Sequence, residues 1–166
     1  MPWGPWPPEA KTGEIKMAEF RERPYSQFNF WVDLGTGDTE SPQAGFQEVS
    51  GLGMEINITE YRVGNEKDNA PRKITGTYKV PDITLKRGLI GSLDLYEWLD
   101  QVRNGSQDAL RTIKIQLRSE DRITTVQSWK LSNARPLKYT GPSLNAKGTD
   151  VAIEELVLAC ERIDLE

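Results

Sequence analysis

Glu154 and Glu155 are the first residues to weigh for chemistry. Two carboxylates flanking one bond can divide general acid and base work, as in glycoside hydrolysis. These two are adjacent in a strand-like run, "VAIEELVLAC", so they point to opposite faces and cannot share a substrate bond. Asp33, Asp38 and Glu40 form a second acidic group, and the chemistry they suggest is calcium binding. They lack the alternating spacing and terminal glutamate of an EF-hand loop, so a solvated loop is expected and no metal ligand is assigned. Cys160 lies in an apolar run with no basic neighbour on its own face, which favours a structural thiol over a nucleophile. "GTGDT" (35–39) lacks the Gly-Lys-Ser/Thr ending of a phosphate loop, and "GLGMEI" (51–56) runs into a strand rather than a helix. Both read as turn or bulge. The chain contains no histidine, which removes imidazole acid–base catalysis, Ser-His-Asp triads and most zinc sites. No catalytic residue, metal or cofactor is expected.

The elements that would position any site must come from 166 residues, enough for one domain and a tail. A hydrophobic share of 37% supports a core but points to a thin, sheet-rich fold or to a substantial unfolded piece. Twenty-one basic against 25 acidic residues give a net charge of -4, without the basic excess of a nucleic-acid binder. A single cysteine cannot form an internal disulfide. No apolar run approaches the roughly 18 to 20 residues of a membrane span, and none of signal-peptide type opens the chain. Cytoplasmic synthesis and no membrane anchoring are the expectation.

"MPWGPWPPEAKTGEIK" carries Trp3 and Trp6 among prolines, which favour extended polyproline-like backbone and cannot join a sheet interior. It is expected to be a flexible tail, with docking into a partner's groove as the sharper alternative. Met17 would itself make a start, so the first 16 residues read as an upstream extension and no function is built on them. Residues 1–23 are therefore taken as an extension and 24–166 as the domain.

From Tyr25 the pattern turns to period two. Phe28, Phe30 and Val32 alternate with polar neighbours and predict a first strand. In "MEINITEY", Met54, Ile56 and Ile58 form a dry face and Glu55, Asn57 and Thr59 a wet one. "KITGTYKVPDITLKRG" predicts a strand broken or bulged near Pro81 and resumed through Ile83 and Leu85. "GSLDLYEWLDQVRNG" is the one convincing helix, with Ser92 as its cap, Asp94 and Glu97 near its positive end and Asn104-Gly105 as its stop. Leu95, Trp98, Leu99 and Val102 make a single stripe for packing on a sheet. "RTIKIQLR" alternates cleanly, Ile113, Ile115 and Leu117 inward against Thr112, Lys114, Gln116 and Arg118 outward. A further strand is read over "ITTVQSWKLSNARPLKY", and the last, "DVAIEELVLACERI", is apolar on both faces and expected to be covered on both sides.

The sum is about six to eight strands and one helix, a mainly β (α+β) chain. Two small antiparallel sheets forming a barrel or sandwich flanked by that helix fit best. The unusual feature is the charge-dense loop from Tyr61 to Lys73, far longer than two strands need for a connection.

Three islands, "FQEVSGLGMEINITEYRVGN" (46–65), "KITGTYKVPDITLKRG" (73–88) and "LYEWLDQV" (95–102), resemble in order and spacing the tail tube protein of contractile phage tails and phage-like contractile injection systems. "PYSQFNFWVDL" and "IEELVLACERIDL" match that family's first and last strands, so the resemblance covers roughly 24 to 166. It implies a structural subunit of homo-hexameric rings stacked into a hollow inner tube, inside a sheath that drives it through a target envelope. The fold is shared with type VI secretion tube proteins. The partners implied are the sheath protein, baseplate or spike and terminator proteins, and protein or DNA cargo in the lumen. Assembly in the bacterial cytoplasm, as part of a phage tail or an injection particle released from the cell, is implied with them. Under that resemblance Glu55, Asn57 and Thr59 are candidates to line the lumen, as is the outward set of 112, 114, 116 and 118, for which a sheath-facing position is equally open. Tyr61, Arg62, Glu66, Lys67, Asp68, Arg72 and Lys73 are candidates for an arm that reaches the adjacent ring, where mixed charge fixes register. Two other classes stay open: a monomeric ligand-binding β-barrel module, and an enzyme working through carboxylates.

Overall fold

Period-two alternation builds nearly everything in this chain. The computed structural model describes residues 21–37 and 39–166. The proline- and tryptophan-rich stretch over 1–16, and Asp38 of the acidic group, lie outside the described residues. The strands are β1 Phe30–Asp33, β2 Glu48–Ser50, β3 Glu55–Tyr61, β4 Arg72–Lys79 and β5 Ile83–Gly88; then, after helix α1 at Asp94–Arg103, β6 Arg111–Arg118, β7 Thr125–Thr140, β8 Ile153–Ala159 and β9 Arg162–Leu165.

Seven of these strands form an antiparallel sheet in the order β1-β6-β7-β8-β5-β2, with β9 also on β7. Strand β7 is 16 residues long and serves both halves. It pairs with β6 and β9 up to Ala134, and with β8 from Arg135 onward. At the changeover Asn133 adopts φ 54°, a left-handed conformation that asparagine tolerates better than most residues. Glu161 braces this corner, accepting from Asn133 Nδ2 at 2.8 Å and from Arg135 Nη2 at 2.9 Å. The two halves thereby face one another across a single core, with Val32, Ile113, Ile115 and Leu131 from one and Ile83, Leu85, Leu156 and Leu158 from the other.

Helix α1 closes that core with Leu95 and Trp98, both buried, while Leu99 and Val102 are half-buried as the stripe predicts. Trp98 donates through Nε1 to the Ala109 carbonyl at 2.6 Å, so its one polar atom is satisfied. Its stop is Asn104 followed by Gly105 at φ 81°, as expected. Its start differs, because Leu93 occupies the cap position and the Ser92 hydroxyl instead donates to the Asp94 carboxylate at 2.8 Å.

Other expectations are corrected. The sheet does not close into a barrel, since β1 and β2 end its order without pairing to each other. Phe28 falls outside β1 and is 68% exposed, because the chain becomes extended only at Phe30. The break expected near Pro81 is present and complete: β4 ends at Lys79, β5 begins at Ile83, and the two join different sheets. The final strand divides at Cys160-Glu161 into β8 and β9, where β7 turns its corner. Only one face of β8 is buried, with Glu154, Leu156 and Leu158 inside and Val157 and Ala159 half-buried opposite. Both glycine motifs are turns or bulges: the Asp33 carboxylate accepts from the amides of Gly35 and Gly37 at 2.9 Å each, and Gly51 has φ 89°.

Candidate assembly surfaces

Strands β2 and β3 run on from each other, and so do β4 and β5. They form one long antiparallel ribbon interrupted in the middle. The lower half, β2 with β5, pairs Glu48 with Lys86 and Ser50 with Thr84 inside the seven-stranded sheet. The upper half, β3 with β4, pairs Glu55 with Lys79 through Tyr61 with Arg72 and has no third strand. The break falls at an elbow where Gly51 crosses Asp82. A Cβ on Gly51 would stand 2.3 Å from the Asp82 carbonyl oxygen, and its φ of 89° is itself a glycine conformation. Pro81, with no amide to donate, ends the other strand there.

Every residue of β3 and β4 is exposed. The face expected to be dry is not covered by the described residues: Ile56 is 52% exposed, Ile58 56% and Tyr78 48%. Glu55, Asn57 and Thr59 lie on the opposite face as the alternation requires, with Asn57 Nδ2 donating to Thr77 Oγ1 at 3.3 Å. A bulge between the Ile56–Tyr78 and Ile58–Thr75 pairs shifts the register and brings Ile74 opposite Thr59. Gly76 sits in that bulge, where a Cβ would press on the Asn57 carbonyl at 3.1 Å.

The tip between the two strands is braced from within. Arg62 donates through Nε to the Asp68 carbonyl and through Nη2 to the Glu66 carbonyl, both at 3.0 Å. Arg72 pairs with Glu66 at 2.5 Å, and the Ala70 amide bonds to the Asp68 carboxylate at 3.1 Å. Tyr61 is 55% exposed, and Lys67 and Lys73 are exposed with it. The structure thus gathers the predicted arm residues at the end of a projecting hairpin. It brings Glu55, Asn57 and Thr59 together on that hairpin's wet face.

Beneath the ribbon's lower half lies a polar cluster that sequence reasoning missed. Arg87 on β5 is fully buried. It donates through Nε to Glu154 Oε1 at 2.5 Å, through Nη2 to Asp94 Oδ1 at 2.5 Å and through Nη1 to the Gln43 carbonyl at 2.7 Å. The Tyr139 hydroxyl donates to the other Glu154 oxygen at 2.8 Å. One guanidinium fork therefore ties β5, β8, the start of α1 and the turn before β2 together. The sequence carried half of the signal, since Arg87 and Glu154 fall at inward positions of two alternating strands; their direct pairing is visible only in the register. Burial pushes the Asp94 carboxyl up, but the hydrogen bonds from Arg87 and Ser92 outweigh it and hold the group below the usual carboxylate range. Burial, followed by the Glu154 hydrogen bond, pushes the Tyr139 hydroxyl up. The Cys160 thiol is raised by burial and by Asp82, which makes it a poor nucleophile. Glu155, on the opposite face from Glu154, pairs in register with Lys86, so the two glutamates do not converge.

The comparisons agree with this architecture. A chain from the cryo-EM structure of the anti-feeding prophage cap, the tube-terminating cap, superposes with a TM-score of 0.77 at 28% identity, covering 89% of this chain and 94% of that one. A chain of the sheath–tube complex of an extracellular contractile injection system, PVC, in its extended state gives 0.75 at 28% identity over 87% and 93%. Hcp1 from Flavobacterium johnsoniae shares the fold at a TM-score of 0.50 and 14% identity, covering 83% of this chain and 94% of its own. Among curated proteins no sequence match is found. The sequence model of the family described as T4-like virus tail tube protein gp19 matches residues 26–164. With that match spanning most of its length, and a hairpin that its own fold leaves uncovered, the chain belongs to the T4-like tail tube protein family.

Proposed function

We propose that the chain is the repeating subunit of the inner tube of a phage tail or contractile injection particle, with copies joined head to tail into rings of six and rings stacked into a hollow shaft. The observation that carries this reading is the half-exposed ribbon. An isolated two-stranded hairpin is marginally stable in water, yet here one stands clear of the core with isoleucines and tyrosines on it. Neighbouring copies supply the missing cover, and repetition of one heterologous contact closes a ring or extends a filament. On this reading Glu55, Asn57 and Thr59 line the lumen, and the tip with Tyr61, Arg62, Glu66, Lys67, Asp68, Arg72 and Lys73 meets the next ring. The assembling unit is residues 24–166. Partners are a sheath protein around the tube, a baseplate or spike at one end, a terminator at the other, and protein or DNA cargo within. The subunit has a mechanical role and no catalytic one. It assembles in the bacterial cytoplasm and leaves as part of the particle.

Electron microscopy of the purified chain tests this. Hollow tubes or rings with six-fold end views are expected; a compact monomer at high concentration would overturn it.

A further inference from the structure

Besides the projecting hairpin, the described residues leave an apolar groove uncovered. It measures about 620 Å³ and lies between the ends of the open sheet. Phe28, Phe30, Ile115, Leu117, Trp129 and Leu52 line it. The groove exists because β1 and β2 do not meet, so side chains aimed at the core remain reachable through the gap. Tyr25, Gln27, Gln47 and Glu48 also line it, with Glu48 3.7 Å from the Lys86 ammonium.

We propose that this groove is the socket for the β3–β4 hairpin of a second copy, entered by the face that carries Ile56, Ile58 and Tyr78. The inference rests on the tube reading and specifies which surfaces of two subunits meet. Three observations converge on the second copy. First, the two surfaces are complementary in kind. The hairpin face carries Ile56, Ile58 and Tyr78 and ends in the cross-strand pair Glu60–Lys73, and the groove is a mainly apolar trough, so the match is one of apolar surface to apolar surface. Second, β1 is a sheet-edge strand with unpaired backbone groups along one side, and β3 and β4 each have a free edge as well. A strand laid beside a sheet edge gains main-chain hydrogen bonds as well as side-chain pockets. Third, the areas suit a contact that works only in numbers. Eight residues of β4 span ~27 Å, and two strands are ~10 Å wide, so one hairpin face offers roughly 270 Å². A lasting two-body interface needs about 800 Å² per partner. One hairpin in one groove therefore holds weakly, whereas a closed ring makes every contact intramolecular and much stronger. The chain's own hairpin does not occupy the groove: Ile56, Ile58 and Tyr78 stay about half exposed, and none of them lines it.

The test is photocrosslinking in assembled material made from mixed ¹⁴N- and ¹⁵N-labelled chains. p-Benzoylphenylalanine replaces Ile58 in one preparation and Tyr78 in another, so that one failure to assemble leaves the other informative. The expected adducts join either position to residues 28–30, 49–52, 115–117 or 129, with one light and one heavy peptide in each. Adducts confined to a single chain, or joining two chains at other surfaces while tubes form, would overturn the socket and leave the tube reading standing. A chain that stays monomeric in both preparations and as wild type would overturn both.

Discussion

The ribbon from Glu48 to Gly88 is one pair of strands in two environments. Its lower half lies within a seven-stranded sheet, with Ile83, Leu85 and Arg87 fully buried; its upper half has no buried residue. The sequences of the halves are not very different in apolar content, so burial is decided by what lies alongside. The lower half has β8, the helix and the guanidinium cluster; among the described residues no further strand pairs with the upper half. The lesson is that a self-sufficient element and an element built for copies can be contiguous, separated by one glycine crossing.

This contrast can be broken most forcefully from the buried side. Arg87→Met leaves Glu154 and Asp94 without their cation, and stranding a buried charge costs on the order of 3–5 kcal/mol. A denaturant midpoint lowered to match is expected; an unchanged midpoint would mean the cluster is incidental. Gly51→Ala comes next, since a Cβ would meet the Asp82 carbonyl at 2.3 Å in a left-handed backbone. Destabilisation of about 1–3 kcal/mol from the backbone alone is expected in urea unfolding.

Acid should act through Asp94. A carboxylate whose folded pKa is depressed adds stability above its unfolded value, near ~3.9, and that stability is lost as pH falls through the folded one. Thermal stability should therefore fall below about pH 4, and Asp94→Asn should flatten that acid limb. Identical acid limbs in the two proteins would remove Asp94 from the account. The smallest stability effect belongs to the exposed half. Ile58→Ser should shift unfolding by no more than about 0.5 kcal/mol, as exposed positions do, while tube formation is lost. Charge reversal of Arg62 together with Arg72 should likewise leave the core's unfolding nearly unchanged and prevent rings from stacking. Tubes of normal length with either variant would show that the hairpin carries no assembly contact.

Much of the sheet was legible because strands β5, β6 and β8 alternate with few exceptions, and α1 carries one stripe. Less legible were features set by position in three dimensions. Period two shows that Ile56 and Ile58 share a face, but not that the chain withholds a cover from it. Pro81 marks a break, yet the separation of β4 from β5 depends on Gly51 passing close to Asp82, a contact between distant residues. The Arg87–Glu154 pair was hidden because charged residues at inward positions read locally as ordinary strand polarity; their meaning appears only with the β5–β8 register. The expectation of six to eight strands fell short of the nine described for a similar reason, since β8 and β9 divide where β7 bends at Asn133.

Amide hydrogen exchange on dissociated and assembled chain tests the central claim most directly. Amides of β5 and β8 should be protected in both states, and those of Glu55–Tyr61 and Arg72–Lys79 should become protected only on assembly. A hairpin equally protected in the lone subunit, or equally open within the assembled tube, would contradict the claim that copies complete this fold.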